Sequence, residues 1–389
     1  MRLNFTKRIL AILLLTVLAT QLFSCIQPKH GLGMPPDTQT QVGTEEERTV
    51  TAGTVLPLWQ SAQASADAFF EVEGIVDHSK KEYSYYEMVD DLAELGRTYP
   101  THFSYRSIGK SVVGRDIYVA VLGNENAPRQ ILVSAGIHGR EYLTPLLVMK
   151  QLEFYLAYYD TGECNGVAYS TLFEKYCFYV VPMTNPDGIM LSQQGISTVS
   201  SHALYSEIYN IYSADLSRGL TKAKTVNEYL ESWKANVRGV DLNRNFDALW
   251  DEYKKGMSAP SHRNYKGSAA ASEPETRAMV ELTESLSNVQ AVLCIHSQGE
   301  VLYWDCGQGE ELAAKTRDFT TMIADRAGYY IVDEQNNDAS FSDWCALEKG
   351  LIAVTVETGN GTCPLPISDF TEIWKDHYDL LPLSALYFE

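Results

Sequence analysis

His138 and Glu141, three residues apart in the run Ile137-His138-Gly139-Arg140-Glu141, are of types that could hold a metal ion. The run follows an apolar stretch ending at Ala135, so it falls at a strand-to-helix turn where an imidazole and a carboxylate can face one point. A catalytic zinc commonly takes two histidines and one carboxylate and keeps a further position open. The third ligand must come from elsewhere in the chain. His296 directly follows the apolar run Val289 to Ile295, where its imidazole would project from a sheet edge. Taken singly these are weak signals. His-x-x-Glu arises by chance, and a lone histidine after a strand is more often structural than metal-bound.

The surrounding pattern supplies elements that could position such residues. Tyr85, Met88, Val89, Leu92 and Leu95 recur at helical spacing. Residues 117–122, 130–135, 176–183, 289–295 and 351–356 read as strands, and 141–159 reads as a helix with Leu143, Leu146 and Leu147 on one face. Asn185-Pro186-Asp187-Gly188 is a strong turn signal, and Ser272 with Glu275 reads as a capping box with Pro274 in the first turn. Strands alternating with helices predict an α/β fold with a parallel or mixed central sheet, in which ligand chemistry gathers at the strand ends.

Five segments in order give the pattern its specificity. Ile137 to Glu141, Thr184 to Gly188, Gly239-Val240-Asp241-Leu242-Asn243-Arg244-Asn245-Phe246, His296-Ser297-Gln298-Gly299 and Thr355-Val356-Glu357-Thr358 together resemble the zinc carboxypeptidase family. The resemblance runs from about Tyr83 to the C-terminus. It implies a single α/β domain, its mixed central sheet flanked by helices, binding one zinc ion per chain through His138, Glu141 and His296. It also implies that Glu357 is the general base, taking a proton from the attacking water and delivering it to the leaving amine. Asn243 and Arg244 would clamp a substrate carboxylate, for which the planar guanidinium is suited; the alternative for Arg244 is a structural ion pair with Asp241 or Asp187. Arg140 would line an outer subsite or simply lie on the surface.

Two positions depart from the digestive members of the family. The offset of their oxyanion-stabilising arginine falls on Lys234, with Arg238 nearby, so that role stays open between the two. No tyrosine lies between Ile331 and Leu351 to replace their mobile phenol. The pocket-floor position falls on Ser342, small and polar, without the acid expected for selection of lysine or arginine. Trp233 to Asn236, His296 to Trp304 and Thr362 to Pro366 resemble the bacterial branch that includes γ-D-glutamyl-L-diamino acid peptidases, which implies stem peptides of peptidoglycan, carrying diaminopimelate, as substrate. A broad metallocarboxypeptidase acting on ordinary peptides and a non-catalytic peptide-binding surface protein are the alternatives; the latter has no need of Glu357.

The 389 residues carry 50 acidic and 31 basic side chains, a formal charge of −19, which argues against a nucleic-acid partner because phosphate binding needs clustered lysine and arginine. Arg2, Lys7 and Arg8 precede an apolar run from Ile9 to Ala19, and Leu22-Phe23-Ser24-Cys25 resembles a lipobox. Residues 1–25 therefore read as an export signal of lipoprotein type, 26–80 as a tether and lead-in, and 81–389 as the peptidase domain. An extracytoplasmic location, secreted or anchored to the membrane through lipid on Cys25, follows as an expectation. Six further cysteines are either disulfide-bonded or buried thiols; no Cys-x-x-Cys suggests a cysteine metal site.

Overall fold

The computed structural model describes residues 66–71, 74–80 and 82–389. The expected export signal and most of the tether lie outside these residues. An eight-stranded mixed sheet runs through the domain. In chain order its strands are β1 (Phe103–Lys110), β2 (Asp116–Leu122), β3 (Arg129–Ala135), β4 (Tyr176–Val181), β5 (Val289–His296), β6 (Val301–Tyr303), β7 (Tyr330–Ile331) and β8 (Ile352–Glu357). Their spatial order is β1-β2-β4-β3-β5-β8-β6-β7. The four central strands β4, β3, β5 and β8 are parallel, whereas β1–β2, β2–β4 and β8–β6 pair antiparallel. Parallel strands covered by helices on both faces must be apolar on both faces. That is why Tyr-Cys-Phe-Tyr-Val-Val of β4 is buried throughout.

Alternation divides the sheet between two cores. Leu293, Ile295, Val354 and Val356 pack on one side with the helices Leu143–Ala157 and Glu310–Ala327. Val292, Cys294 and Ala353 pack on the other with Phe341–Leu347 and Pro274–Ser285. The helix Leu143–Ala157 is buried from Leu143 to Leu156, so the single apolar face expected of it is instead an almost fully enclosed helix. At Pro274–Ser285 the N-cap is Glu273, not Ser272. The Ser272 hydroxyl accepts from Asn245 Nδ2 at 3.0 Å and donates to Glu273 Oε1 at 2.9 Å, so a tertiary partner has taken the expected cap. All six cysteines among the described residues are buried and free, which settles the disulfide alternative in favour of thiols.

The lead-in segment before position 81 packs on the domain. Phe69 and Phe70 are buried against Phe154 and Trp374, with the Phe69 and Phe154 rings 5.2 Å apart. Lys150, fully buried, donates to Glu153 Oε2 at 2.9 Å and to the Val76 carbonyl at 3.2 Å, and Glu153 in turn accepts from the Ile75 and Val76 amides. The lead-in segment thus completes a buried ion pair. Removing one member of such a pair leaves an uncompensated charge and costs about 3–5 kcal/mol. Lys150→Met is expected to lower unfolding stability by that order in denaturant titration, with residues 66–80 becoming sensitive to protease first.

Candidate active site

The parallel strands bring their carboxyl ends to one edge, where ligands bind in open α/β sheets. In register, Glu357 at the end of β8 lies beside His296 at the end of β5. Ala135 at the end of β3 lies beside Ile295, so the turn carrying His138 and Glu141 leaves the sheet next to His296. Close backbone packing holds that turn. Asn185 caps the helix Pro186–Gln194 by accepting from the Gly188 amide at 2.9 Å, and its Nδ2 donates to the carbonyls of Ile137 at 3.1 Å and Ala235 at 3.0 Å. A Cβ on Gly139 would run into the Gly188 backbone and stand 2.8 Å from the Trp233 carbonyl, which accounts for glycine there.

His138, Glu141 and His296 are all buried, and their ligand atoms lie within 4.8 Å of one another. His138 Nδ1 is 2.8 Å from Glu141 Oε1, and His296 Nδ1 is 3.1 Å from Glu141 Oε2. Both Nδ1 atoms converge on one carboxylate, while the outer nitrogens have their own neighbours. His138 Nε2 is 3.2 Å from Asp241 Oδ1, and His296 Nε2 is 3.4 Å from Asn243 Nδ2. Asp241 is held by the Asn264 amide at 2.9 Å. A buried carboxylate behind a ligating histidine fixes the ring and raises its basicity. Burial alone would raise the Glu141 and Asp241 carboxyls. Charge attraction and hydrogen bonds from His138, joined at Glu141 by His296, outweigh it and hold both well below the usual carboxylate range. Two imidazoles and one ionised carboxylate, backed by an aspartate, fit zinc with a position left open.

A cavity of about 190 Å³ opens beside this set, lined by His138, Lys234, Asn243, Arg244, Ser342 and Glu357 among others. Glu357 is half-buried at its wall. Burial pushes its carboxyl up to about 7, with Glu141 adding to the rise and His296 opposing it. The folded-state value exceeds the unfolded one, so this group adds stability fully below about pH 4.5 and loses it as pH rises through about 7. In chelator-treated protein, Glu357→Gln is expected to flatten the fall of Tm across that window, measured by thermal melts at fixed ionic strength.

Lys234 is mostly buried, with Nζ 3.8 Å from Glu141 Oε1. Arg238 does not line the cavity; about half exposed, it stands 3.5 Å from Glu273. Of the two candidates for the oxyanion position, the fold therefore turns only Lys234 inward. Arg244 pairs with neither Asp241 nor Asp187: its Nη2 is 3.2 Å from Asp338, and its Nε donates to Tyr253 Oη at 3.1 Å. Asp187 is instead taken by Arg115 at 2.7 Å. Asn243 Oδ1 accepts from the Phe341 amide at 3.0 Å, which aims its NH₂ toward His296 and the cavity. Arg140 lies outside the cavity lining, its carbonyl accepting from Cys363 Sγ at 3.4 Å. Ser342 is present, its hydroxyl 2.9 Å from Ser340 Oγ and 3.0 Å from Thr355 Oγ1.

Three features of the cavity were not read from the sequence. Tyr303 enters from β6, placing a phenol in the wall although the loop before Phe341 has none. Asp338 anchors Arg244. The walls are also acidic, with Asp305, Glu334 and Asp343 beside the neutral floor, so the expected lack of an acid holds for Ser342 alone. The signal for Tyr303 was its opposition to Thr355, visible only once β6 and β8 are paired.

Residues 88–379 match the zinc carboxypeptidase family, and the chain belongs to it. It is 31% identical to gamma-D-glutamyl-L-diamino acid endopeptidase 1 of Lysinibacillus sphaericus, covering 80% of this chain and 74% of that one. It is 28% identical to mast cell carboxypeptidase A of Homo sapiens, over 63% of this chain and 52% of the relative. Among solved structures, carboxypeptidase A from Helicoverpa armigera shares the fold with a TM-score of 0.58 at 20% identity, covering 86% of this chain and 81% of that chain. The protein is a zinc metallopeptidase of the carboxypeptidase type.

Proposed function

We propose that the protein hydrolyses the bond between a γ-D-glutamyl group and a diamino acid in peptidoglycan stem peptides. The relative named for that linkage, matched over most of both chains, carries this reading. A polar cavity in place of an apolar side-chain pocket supports it.

Zinc, when bound, polarises a carbonyl and makes water a nucleophile near neutral pH. The chain's own residues do the rest. Glu357, the carboxylate on the cavity wall, takes the proton of the attacking water and returns it to the leaving amine. Lys234 faces the carbonyl oxygen as negative charge develops there. Asn243 and Arg244 hold the carboxylate of the leaving residue, with Asp338 and Tyr253 orienting the guanidinium. Arg244→Lys loses the forked geometry. It is expected to raise KM about 10- to 100-fold on substrates with a free carboxylate, and much less on the matching amides, as read from initial rates.

Export and lipid attachment at Cys25 belong to the same proposal and rest on the N-terminal sequence. The test of function is direct: the full chain is incubated with γ-D-glutamyl-diaminopimelate and with ordinary α-linked dipeptides, and products are resolved by chromatography. Preferential release of diaminopimelate supports the proposal. Cleavage of α-linked peptides alone refutes it in favour of a broad carboxypeptidase.

A further inference from the structure

We propose that Asp305 selects leaving residues whose side chain ends in an ammonium group. This rests on the reading above that the cavity holds the leaving residue. The cavity is lined by both signs of charge, Lys234 and Arg244 together with the acids Asp305, Glu334, Asp338 and Asp343. The linked hydroxyls of Ser340, Ser342 and Thr355 line it too, and another part of the wall is formed by the chain leaving β6 after Tyr303, which pairs with Thr355.

Asp305 lies on that wall, half-buried and firmly placed. Its Oδ1 accepts from the Gly307 amide at 2.9 Å, and its carbonyl accepts from the Asn336 amide at 2.9 Å. The neighbouring acids are otherwise engaged. Asp338 is offset by Arg244 at 3.2 Å and Lys255 at 3.8 Å. Asp343 is buried in the capping box of Phe341–Leu347, where it accepts from the Asp338 and Ser340 amides, and burial raises its carboxyl. Among the described residues no cation pairs with Asp305 or with Glu334, and Glu334 is exposed at the rim.

A leaving residue whose carboxylate sits on Asn243 and Arg244 sends its side chain into this hydroxyl-lined lobe. An ammonium at its end meets Asp305 in a charge-assisted hydrogen bond. An apolar end would desolvate the carboxylate without replacing its partners, which is how a polar site rejects an isostere. A volume of about 190 Å³ suits one long side chain. A diamino acid carries both a carboxylate for Asn243 and Arg244 and an ammonium for Asp305.

The test compares kcat/KM of the full, zinc-loaded chain on γ-D-glutamyl-L-lysine, its Nε-acetyl derivative and γ-D-glutamyl-L-norleucine, with the α-linked L-alanyl counterparts beside them. The wild type is expected to favour lysine over both neutral side chains by about 10²-fold. Asp305→Asn keeps the acceptor for the Gly307 amide and is expected to shrink that ratio to about 3-fold or less, mainly through the lysine substrate. A wild type indifferent to the ammonium overturns the proposal without recourse to any variant. So does an Asp305→Asn protein that keeps the lysine preference or loses all substrates equally. Lysine preference seen only in the α-linked series defeats the γ-D-glutamyl reading while leaving Asp305 its role.

Discussion

Glu357→Gln is expected to lower kcat by about 10⁴-fold, the upper range for loss of a general base, while zinc content stays at the wild-type level. The split follows from the geometry. Glu357 lies beside His296 in register but is not one of the three converging ligands. Glutamine keeps the shape and removes the base. The pH profile gives the same residue a second signature. Its sheltered carboxyl rises to about 7, and a nearby dication pulls it back down. The acid limb of kcat/KM therefore falls at or below about pH 7, since the base must be ionised to accept a proton. Steady-state kinetics across pH, with zinc measured by mass spectrometry on the same samples, checks both parts. A variant that retains a tenth of wild-type kcat would remove Glu357 from the base role.

His296→Ala separates metal binding from catalysis in the other direction. Zinc binding of about 10 kcal/mol shared among its ligands implies a loss of about 3 kcal/mol, or about 10²-fold in affinity, when one is removed. Activity at limiting zinc is expected to vanish and to return only in part at high zinc, because the remaining His138 and Glu141 leave the ion under-coordinated. Asp241→Asn should weaken zinc by about 10-fold or slightly more, since it acts through the His138 ring. Competitive titration with a chromophoric chelator orders the three proteins. If His296→Ala binds zinc as tightly as Asp241→Asn, His296 is not a ligand.

Much of this site could be read in the chain because its residues end strong elements. His296 and Glu357 are the last residues of strands buried enough to show as apolar runs, and His138 follows another. Parallel pairing of those strands then had to bring their ends together. The features not legible depend on contacts between segments distant in sequence. Lys234 and Arg238 are equivalent as letters; only the packing of Trp233 and the turn around Asn236 decides which points inward. Tyr303 lies on a three-residue strand, too short for periodicity to identify. Asp305 and Asp338 sit on irregular loops whose meeting is fixed by the Asn336 amide on the Asp305 carbonyl. How the lead-in segment packs was hidden for the same reason. Phe69 and Phe70 form no pattern of their own and declare themselves core only against Phe154 and Trp374.

The most direct test of the central claim, a zinc peptidase whose metal is held by His138, Glu141 and His296, is metal-dependent turnover of the full chain. Purified protein should contain close to one zinc per chain, lose peptide hydrolysis, read on the proposed γ-D-glutamyl-diaminopimelate and on α-linked dipeptides, on chelation, and regain it on adding one equivalent of zinc. Hydrolysis that continues undiminished in protein stripped of zinc would contradict the account.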